Sequence, residues 1–411
     1  MNLHEGSSLP LEGVRVVDWS TALAAPTCGR LLADLGADVI KVEMKPNDMF
    51  RGFGDVYGVP SSKEHNPLHA TANSNKRFIT IDPRSSEALE IFSRLLKDAD
   101  VLVTSVRTKV QKAMGLSYED LKEKFPRLIF AHLTGYGYNG AESDRPGFDL
   151  AAFWARSGAL IDWVPPGSNP LSPGLGTGDI FSGTALFSGI ASALYARERT
   201  GIGTLVTTSL MGTGIWANGE YIFISQPPHN YPIPKNPAKT VNPFYDTYQC
   251  KDGQWVTLMM PGPLTPNWKK ACGAFGLEQY LEDPRFCGDA AVIAHNTQQE
   301  LCDLIRETIA SKAFDEWHAQ LTKADVVHEK AQRSCDLMND EQALVNGYME
   351  KVTLPEGRET FYPTVPIQFS EYRIKPVSAQ MGEGQHTREI LDELGFEPQE
   401  INRMYDNGVI F

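Results

Sequence analysis

The chain has 411 residues with 51 acidic and 38 basic side chains, a formal net charge of −13, and 42% apolar and 22% charged residues. That length exceeds a single hydrophobic core and points to two or three domains, and the ordinary globular composition excludes extended disorder. The acidic balance argues against a sequence-tolerant nucleic-acid binder, which needs a basic face to release counterions.

Met1 to Gly13 shows neither a basic region nor an apolar one of signal type, and no apolar run reaches the ~18 residues of a membrane span. A cytoplasmic location is expected. Six cysteines, none in a CxxC pair, fit reduced thiols rather than a disulfide framework or zinc knuckle. Cys28 reads as a small apolar helix residue rather than a nucleophile.

The first half alternates strand and helix. Val14 to Trp19 is a short apolar run suited to a buried strand. A helix after Pro26 carries Leu31, Leu32 and Leu35 and stops at Gly36, and Val39, Ile40 and Val42 form the next strand. Arg77 to Ile81 reads as a third strand. Asp82-Pro83 reads as a cap and first-turn proline before a helix holding Leu89, Phe92, Leu95 and Leu96. Val101–Val103 and Leu128–Leu133 are two more strands. This alternation predicts a mostly parallel, doubly wound sheet.

Residues 160–183, rich in glycine and proline, read as a long irregular loop, a feature usually tied to function. A small-residue helix is expected over 184–196, closed by Arg197, Arg199 and Gly201. The proline-rich stretch 226–243 reads as a linker. Beyond it, 245–260 suggests two strands around Lys251-Asp252-Gly253, helices dominate from Trp268 to Leu321, and one amphipathic helix runs from Thr387 to Leu394. The expected domains are therefore a large domain from 1–225 and 351–411, a small α+β domain over 244–325, and linkers at 226–243 and 326–350.

Gly135-Tyr-Gly-Tyr-Asn-Gly140 matches GxGxxG after a strand, but Pro146-Gly147 leaves no room for the helix that would hold a pyrophosphate, so a nicotinamide site is rejected. No phosphate-binding GxxxxGK loop, GxSxG elbow or HExxH pair occurs, and His132 inside a strand reads as structural. In Gly174-Leu-Gly-Thr-Gly-Asp179, the aspartate is either a helix N-cap or a carboxylate held for chemistry.

Several blocks together resemble the class III CoA-transferases, the family of carnitine, bile-acid and formyl CoA-transferases. They are Pro10–Asp18, Leu31–Glu43, Asn75-Lys-Arg77, Leu133–Gly137, Arg145–Asp149, Gly178-Asp179, Ala193–Gly201 and Gly382–Gly395. The stretch 146–158 is most similar to the family's 2-hydroxyacid enzymes of amino-acid fermentation, acting on phenyllactate or 2-hydroxyisocaproate. The resemblance implies a Rossmann-like large domain built from both chain ends, an inserted small α+β domain and an interlocked homodimer. It implies Asp179 as a nucleophile that forms an aspartyl anhydride and then an aspartyl-CoA thioester. An ordinary carboxylate is ionised at neutral pH and needs no separate base.

A CoA thioester is then the substrate, with a carboxylic acid as acceptor, no tightly bound cofactor and no metal. CoA binding along the strand ends is implied for Leu23, Lys45, Arg84, Ser105, Val106, Lys112, Gly135 and Tyr136. Leu23 and Met44 stand where some relatives have glutamine and arginine. Phe148, Phe153 and Trp154, with Trp163, would suit an apolar or aromatic acyl group. A sibling racemase activity uses a histidine where this chain has Phe148, which favours transfer. A lid role is implied for residues 259–264. Racemisation of a 2-methylacyl-CoA and non-catalytic acyl-CoA binding are the alternatives.

Overall fold

A computed structural model of the chain describes residues 8–59, 66–231, 233–234, 236–237, 240–354, 357–378 and 382–411. Six strands, β1 (Arg15–Trp19), β2 (Asp38–Met44), β3 (Arg77–Ile81), β4 (Val101–Thr104), β5 (Ile129–Thr134) and β6 (Leu205–Ser209), form one sheet in the order 3-2-1-4-5-6. Every neighbouring pair is parallel. The strands read as continuous apolar runs because both faces are covered, and β4 and β5 are buried throughout. The strand order reverses between β1 and β4. In open sheets of this kind ligands bind outside the carboxyl ends of the strands at that point.

Two compact units make up the chain. One takes residues up to Leu160, Ser172–Ile222 and Asp340–Phe411; the other takes Ile161–Leu171 and Phe223–Asn339. In the first, the C-terminal segment completes the core of the sheet. Ile390, Leu391, Ile401 and Ile410 pack in one cluster with Trp19, Phe92, Leu96 and Phe130. Ile410 bridges to Ile81, Thr387 Oγ1 donates to the Phe411 carbonyl at 2.7 Å, and the Phe78 N–H donates to His386 Nδ1 at 3.1 Å. A hairpin of β10 (Met349–Thr353) and β11 (Glu359–Pro363) belongs to the same unit.

Charges are buried beneath the sheet's carboxyl end. Asp18 on β1 and Lys76 before β3 pair at 2.7 Å with both side chains fully buried, and Lys76 Nζ also donates to the Pro26 carbonyl and Asn73 Oδ1 at 2.8 Å. Burial opposes the Asp18 charge, but Lys41 and Lys76 outweigh it and hold its carboxyl below the usual range. This ties the first turn of the Ala24–Asp34 helix to the end of β1.

Three element boundaries differ from the sequence reading. The Ala24–Asp34 helix begins before Pro26, which is tolerated in a first turn. Asp82 does not cap the next helix. Its carboxylate turns onto the Arg84 backbone and guanidinium, and Ser85 caps Ser86–Lys97 instead. The small-residue helix starts at Thr177, not at 184, and runs to Thr200. Its glycines read as loop but serve close packing: a Cβ on Gly183 would lie 2.4 Å from the Ala24 carbonyl oxygen.

In the second unit, antiparallel strands β7 (Tyr245–Gln249), β8 (Trp255–Met259) and β9 (Val327–Lys330) pair in that order, with the helices Leu264–Phe275, Gln298–Ile309 and Phe314–Lys323. Phe244, Trp268, Phe275 and Trp317 form its core, and the Trp317 indole donates to the Ile309 carbonyl at 2.8 Å. The stretch 326–350, expected as a linker, contains β9 and the Glu341–Val345 helix, because Val327–Lys330 complete the small sheet. Residues 232, 235, 238 and 239 of the expected 226–243 linker lie outside the described residues.

Candidate active site

Asp179 stands in the first turn of the Thr177–Thr200 helix rather than at its N-cap, which is Gly176 at φ 60°. Its backbone N–H donates to Asp149 Oδ1 at 3.0 Å. Asp149 opens a π-helical stretch, Asp149–Ala155, a wide-turned element that recurs at functional sites. Gly178 lets the two segments meet: a Cβ there would fall 2.3 Å from Phe153 Cγ and 2.4 Å from Asp149 Oδ1.

Two carboxylates thus lie near enough to influence one another in a half-enclosed site. Burial, followed by the Asp149 charge, pushes the Asp179 carboxyl up to about 7. Burial also raises Asp149, against hydrogen bonds from the Asp179 and Gly178 backbones and the Trp154 side chain. The expectation of an ordinary, fully ionised carboxylate at position 179 is therefore corrected. The protonated and ionised forms of Asp179 therefore exchange near neutral pH.

The Asp179 carboxylate lines a cavity of about 290 Å³ at the carboxyl ends of β1, β4 and β5, with Thr21, Ala22, Met49, Ser105, Arg107 and Arg145 among its walls. This is the crevice that the reversal of strand order creates. A larger hollow of about 660 Å³ runs between Asp34 and residues 345–377 but does not include Asp179. Chemistry, rather than size, selects the smaller one.

The cavity wall at the end of β1 is fixed from below. Ala22 adopts φ +64°, unusual for a residue with a side chain. Its N–H donates to Asp48 Oδ1 at 2.9 Å, and Asp48 also accepts from the Phe50 N–H and pairs with Lys41 at 3.2 Å. Lys41 Nζ donates to the Ser20 carbonyl at 2.6 Å, so a buried ion pair holds both ends of the 20–22 turn. Asp48, Glu43 and His69 cluster closely enough to suggest metal ligands. Lys41 on Asp48 and Arg51, with both Glu43 oxygens 2.9 Å from its Nε, already supply the positive charge there.

The residues expected to hold CoA divide. Ser105 and Gly135 line the cavity, and Ser105 Oγ accepts the Thr21 N–H at 3.1 Å. Tyr136 lies beneath the Arg145 and Arg156 guanidinium groups, 4.8 and 5.6 Å from its ring. Val106 contributes its carbonyl to His132 Nε2 at 3.0 Å. Leu23 is buried against Gly176. Lys45 is paired with Glu383 and sits 4.3 Å above the Phe411 ring. Arg84 is 86% exposed and bound to Asp82 at 2.7 Å, and Lys112 is exposed; neither lines the cavity.

The acyl-pocket expectation also needs correction. Phe148 does line the cavity, half exposed, but Phe153 and Trp154 are buried in the core, where Phe153 packs beneath Gly178 and Gly214. Trp163 belongs to the second unit. His132 reaches the cavity floor but is pushed down to about 4 by burial, so it is a neutral structural imidazole. Burial raises the Cys28 thiol well above its ordinary range, leaving it inert. Gly135 is also where two loops approach closely: a Cβ on it would lie 2.8 Å from Gly147 Cα.

The residues overlooked in the sequence were Asp149, Arg107 and the Asp48–Ala22 contact. Only Asp149 lay inside a recognisable block, Arg145–Asp149. Asp48 and Arg107 had no periodicity or motif around them.

Fold and site together define an α/β protein with a doubly wound sheet and a partly buried pair of carboxylates at its strand-order reversal. A model of CoA-transferase family III matches residues 11–387. The chain is 37% identical over 403 residues to "(R)-2-hydroxy-4-methylpentanoate CoA-transferase" of Clostridioides difficile, covering 97% of this chain and 99% of that protein. It is 35% identical over 401 residues to "Cinnamoyl-CoA:phenyllactate CoA-transferase" of Clostridium sporogenes, covering 97% of each. A CAIB/BAIF family protein from Brucella suis superposes with a TM-score of 0.80 at 28% identity, over 94% of this chain and all of that one. The chain belongs to CoA-transferase family III and is an enzyme of that class. Among the described residues, no helix is long and apolar enough to cross a membrane.

Proposed function

We propose that the enzyme moves CoA from a 2-enoyl- or arylacrylyl-CoA to an (R)-2-hydroxy acid, with Asp179 as the covalent nucleophile. The single observation that carries this reading is the Asp179 carboxylate, aimed into the strand-end cavity and raised by burial and by Asp149. Names of the two relatives support the choice of a 2-hydroxy acid.

In the first step a carboxylate oxygen of Asp179 attacks the thioester carbonyl carbon. The C–S bond breaks, CoA leaves as thiolate with the electron pair, and a mixed anhydride remains. Forming this neutral anhydride discharges Asp179 and relieves its repulsion from Asp149. The thiolate then attacks the Asp179 carbonyl carbon of the anhydride and expels the donor acid, leaving an aspartyl-CoA thioester. An acceptor carboxylate attacks that thioester, and the same two steps in reverse deliver the new acyl-CoA. No proton is required in the cycle once Asp179 is ionised. Water would hydrolyse either intermediate, so the site must be closed during turnover.

A homodimer and a cytoplasmic location are part of the same proposal and are supported by the family resemblance. The test is incubation with acyl-CoA followed by borohydride and peptide mass mapping. Modification is expected on Asp179, with activity lost in Asp179→Asn. Activity surviving in that variant would exclude the nucleophile, and α-hydrogen exchange with deuterated solvent in the absence of acceptor acid would point to racemisation.

A further inference from the structure

A second cavity, about 360 Å³, opens beside the first. Its walls include Leu23, Phe50, Leu68, Leu175, Ile180 and Val365. The chain alternates between the two hollows at this point. Ala22, Ala24 and Asp179 face the strand-end cavity, while Leu23 and Ile180 face the second. The contact between them is close: a Cβ on Gly176 would lie 2.0 Å from Leu23 Cδ2 and 3.4 Å from Asp179 Oδ2. Leu23 is thus the partition between the Asp179 carboxylate and an apolar space of ligand size.

The polar groups of this second cavity are already engaged. Arg30, the basic residue in its wall, donates from Nε to Asp34 at 3.2 Å, from Nη1 to the Thr71 carbonyl at 2.7 Å and from Nη2 to the Pro363 carbonyl at 2.6 Å. Asp34 also accepts from Asn75 Nδ2 at 2.8 Å, and burial raises its carboxyl. A second carboxylate entering here would meet hydrocarbon, the oxygens of Asp34 and a guanidinium already held by Asp34 and two carbonyls, so its desolvation would be poorly compensated.

We propose that this cavity receives the hydrocarbon chain of the acyl group, and that it selects branched or aromatic monocarboxylic acids against dicarboxylic acids of similar length. The assignment rests on the reading of Asp179 as nucleophile. The thioester carbon sits at Asp179, CoA extends along the polar strand-end cavity past Ser105 and Arg107, and the acyl chain passes Leu23 into the apolar one. This moves the acyl site away from Phe153 and Trp154, which are core.

Two variants of the full-length enzyme test it. Leu68→Trp fills the cavity, and Leu175→Arg places a cation at its half-exposed mouth. Each is assayed for kcat/KM with 4-methylpentanoyl-CoA, glutaryl-CoA and acetyl-CoA, with borohydride trapping on Asp179 run in parallel and a thermal melt confirming the fold. In Leu68→Trp the ratio of 4-methylpentanoyl to acetyl activity should fall at least ~10-fold, about the discrimination a pocket gains from one or two buried methylenes. In Leu175→Arg the ratio of glutaryl to 4-methylpentanoyl activity should rise by a similar factor. If both ratios match wild type while Asp179 is still trapped, the chain lies elsewhere and the assignment falls alone. If wild type gives no Asp179 adduct, the nucleophile reading falls and takes this assignment with it.

Discussion

The Asp179 backbone N–H donates to Oδ1 of Asp149 at 3.0 Å, so the residue that accepts from the backbone of the proposed nucleophile also sets its negative charge beside that nucleophile's carboxylate. One contact therefore bears on both geometry and acidity, with burial the larger cause of the raised carboxyl. In the free enzyme the Asp179 carboxyl is raised to about 7, and only its ionised form can attack a thioester. The kcat/KM for acyl-CoA should accordingly rise with pH, pass its midpoint near 7 and level off above. Asp149→Asn keeps an oxygen to accept the N–H but removes the charge, so its acid limb should move to lower pH by roughly half a unit or more. A pH–rate profile of both enzymes checks this; an unmoved limb would mean that burial alone sets the value.

The same shift implies a stability cost at the site. A carboxyl whose folded-state value is raised above 3.8 favours the fold fully below that pH, and its contribution is lost as pH rises through about 7. Asp179→Asn cannot ionise and escapes the loss. Since one pKa unit is about 1.4 kcal/mol, the variant should be stabilised by the order of a few kcal/mol at pH 8 and hardly at all at pH 4. Thermal melts of the two proteins across that range measure the difference directly.

Gly178 is the residue whose side-chain absence brings the two carboxylates together. A methyl group there would overlap Phe153 Cγ at 2.3 Å and Asp149 Oδ1 at 2.4 Å, and Phe153 is fully buried and unable to yield. Gly178→Ala should cost about 1–3 kcal/mol through overpacking. Activity should fall much further, by about 100-fold, because a displacement near 1 Å at the reacting group is enough for that. Chemical denaturation and steady-state kinetics on one preparation separate the two effects.

Much of the fold was legible because the blocks of sequence that carried the family resemblance turn out to touch one another. Asp18 meets Lys76, Arg77 reaches both Asp38 and Glu393, and the Arg145–Asp149 block meets Gly178-Asp179. The strands were readable as apolar runs since both faces of the sheet are covered. Glycines were the main source of error. Gly176, Gly178 and Gly183 resembled a loop, yet they are a left-handed cap and two close-packing positions of one helix. The acyl-pocket aromatics could not be sorted either, because an apolar side chain in sequence gives no sign whether it faces a core or a cavity. Phe148 is 58% exposed and Phe153 is 0% exposed, five residues apart.

Asp48 offers a test of the scaffold beneath the cavity. It holds the strained Ala22 through Oδ1 and neutralises the buried Lys41 through Oδ2. Asp48→Ala would remove the direct ion-pair partner of Lys41 and leave it the Ser20 carbonyl and the nearby Asp18 and Glu43 charges, a loss of about 3 kcal/mol, the low end for a buried pair broken on one side. Asp48→Asn should restore the acceptor for the Ala22 N–H but not the charge. The expected result is a KM for acyl-CoA closer to wild type in Asn than in Ala, while both melt well below it. Equal KM values in the two variants would show that the Ala22 contact does not position the cavity wall.

A protein of net charge −13 must gather a polyphosphorylated CoA through local cations, and the cavity exposes two, Arg107 and Arg145. Arg145 is paired with Glu142 and stacked on Tyr136, whereas Arg107 is exposed and makes no ion pair among the described residues. Removing an unpaired cation at a binding mouth acts on encounter and on screening more than on the chemical step. Arg107→Ala should therefore raise KM for acyl-CoA by roughly 10-fold with kcat little changed, and should flatten the rise of KM with added salt. Arg84→Ala and Lys112→Ala, at positions outside the cavity, should stay within about twofold of wild type, as expected of solvated surface charges. Titrating KM against sodium chloride for all four enzymes decides between them. A salt slope preserved in Arg107→Ala and lost in Arg84→Ala or Lys112→Ala would place the phosphate contacts back on the residues first implied by the sequence.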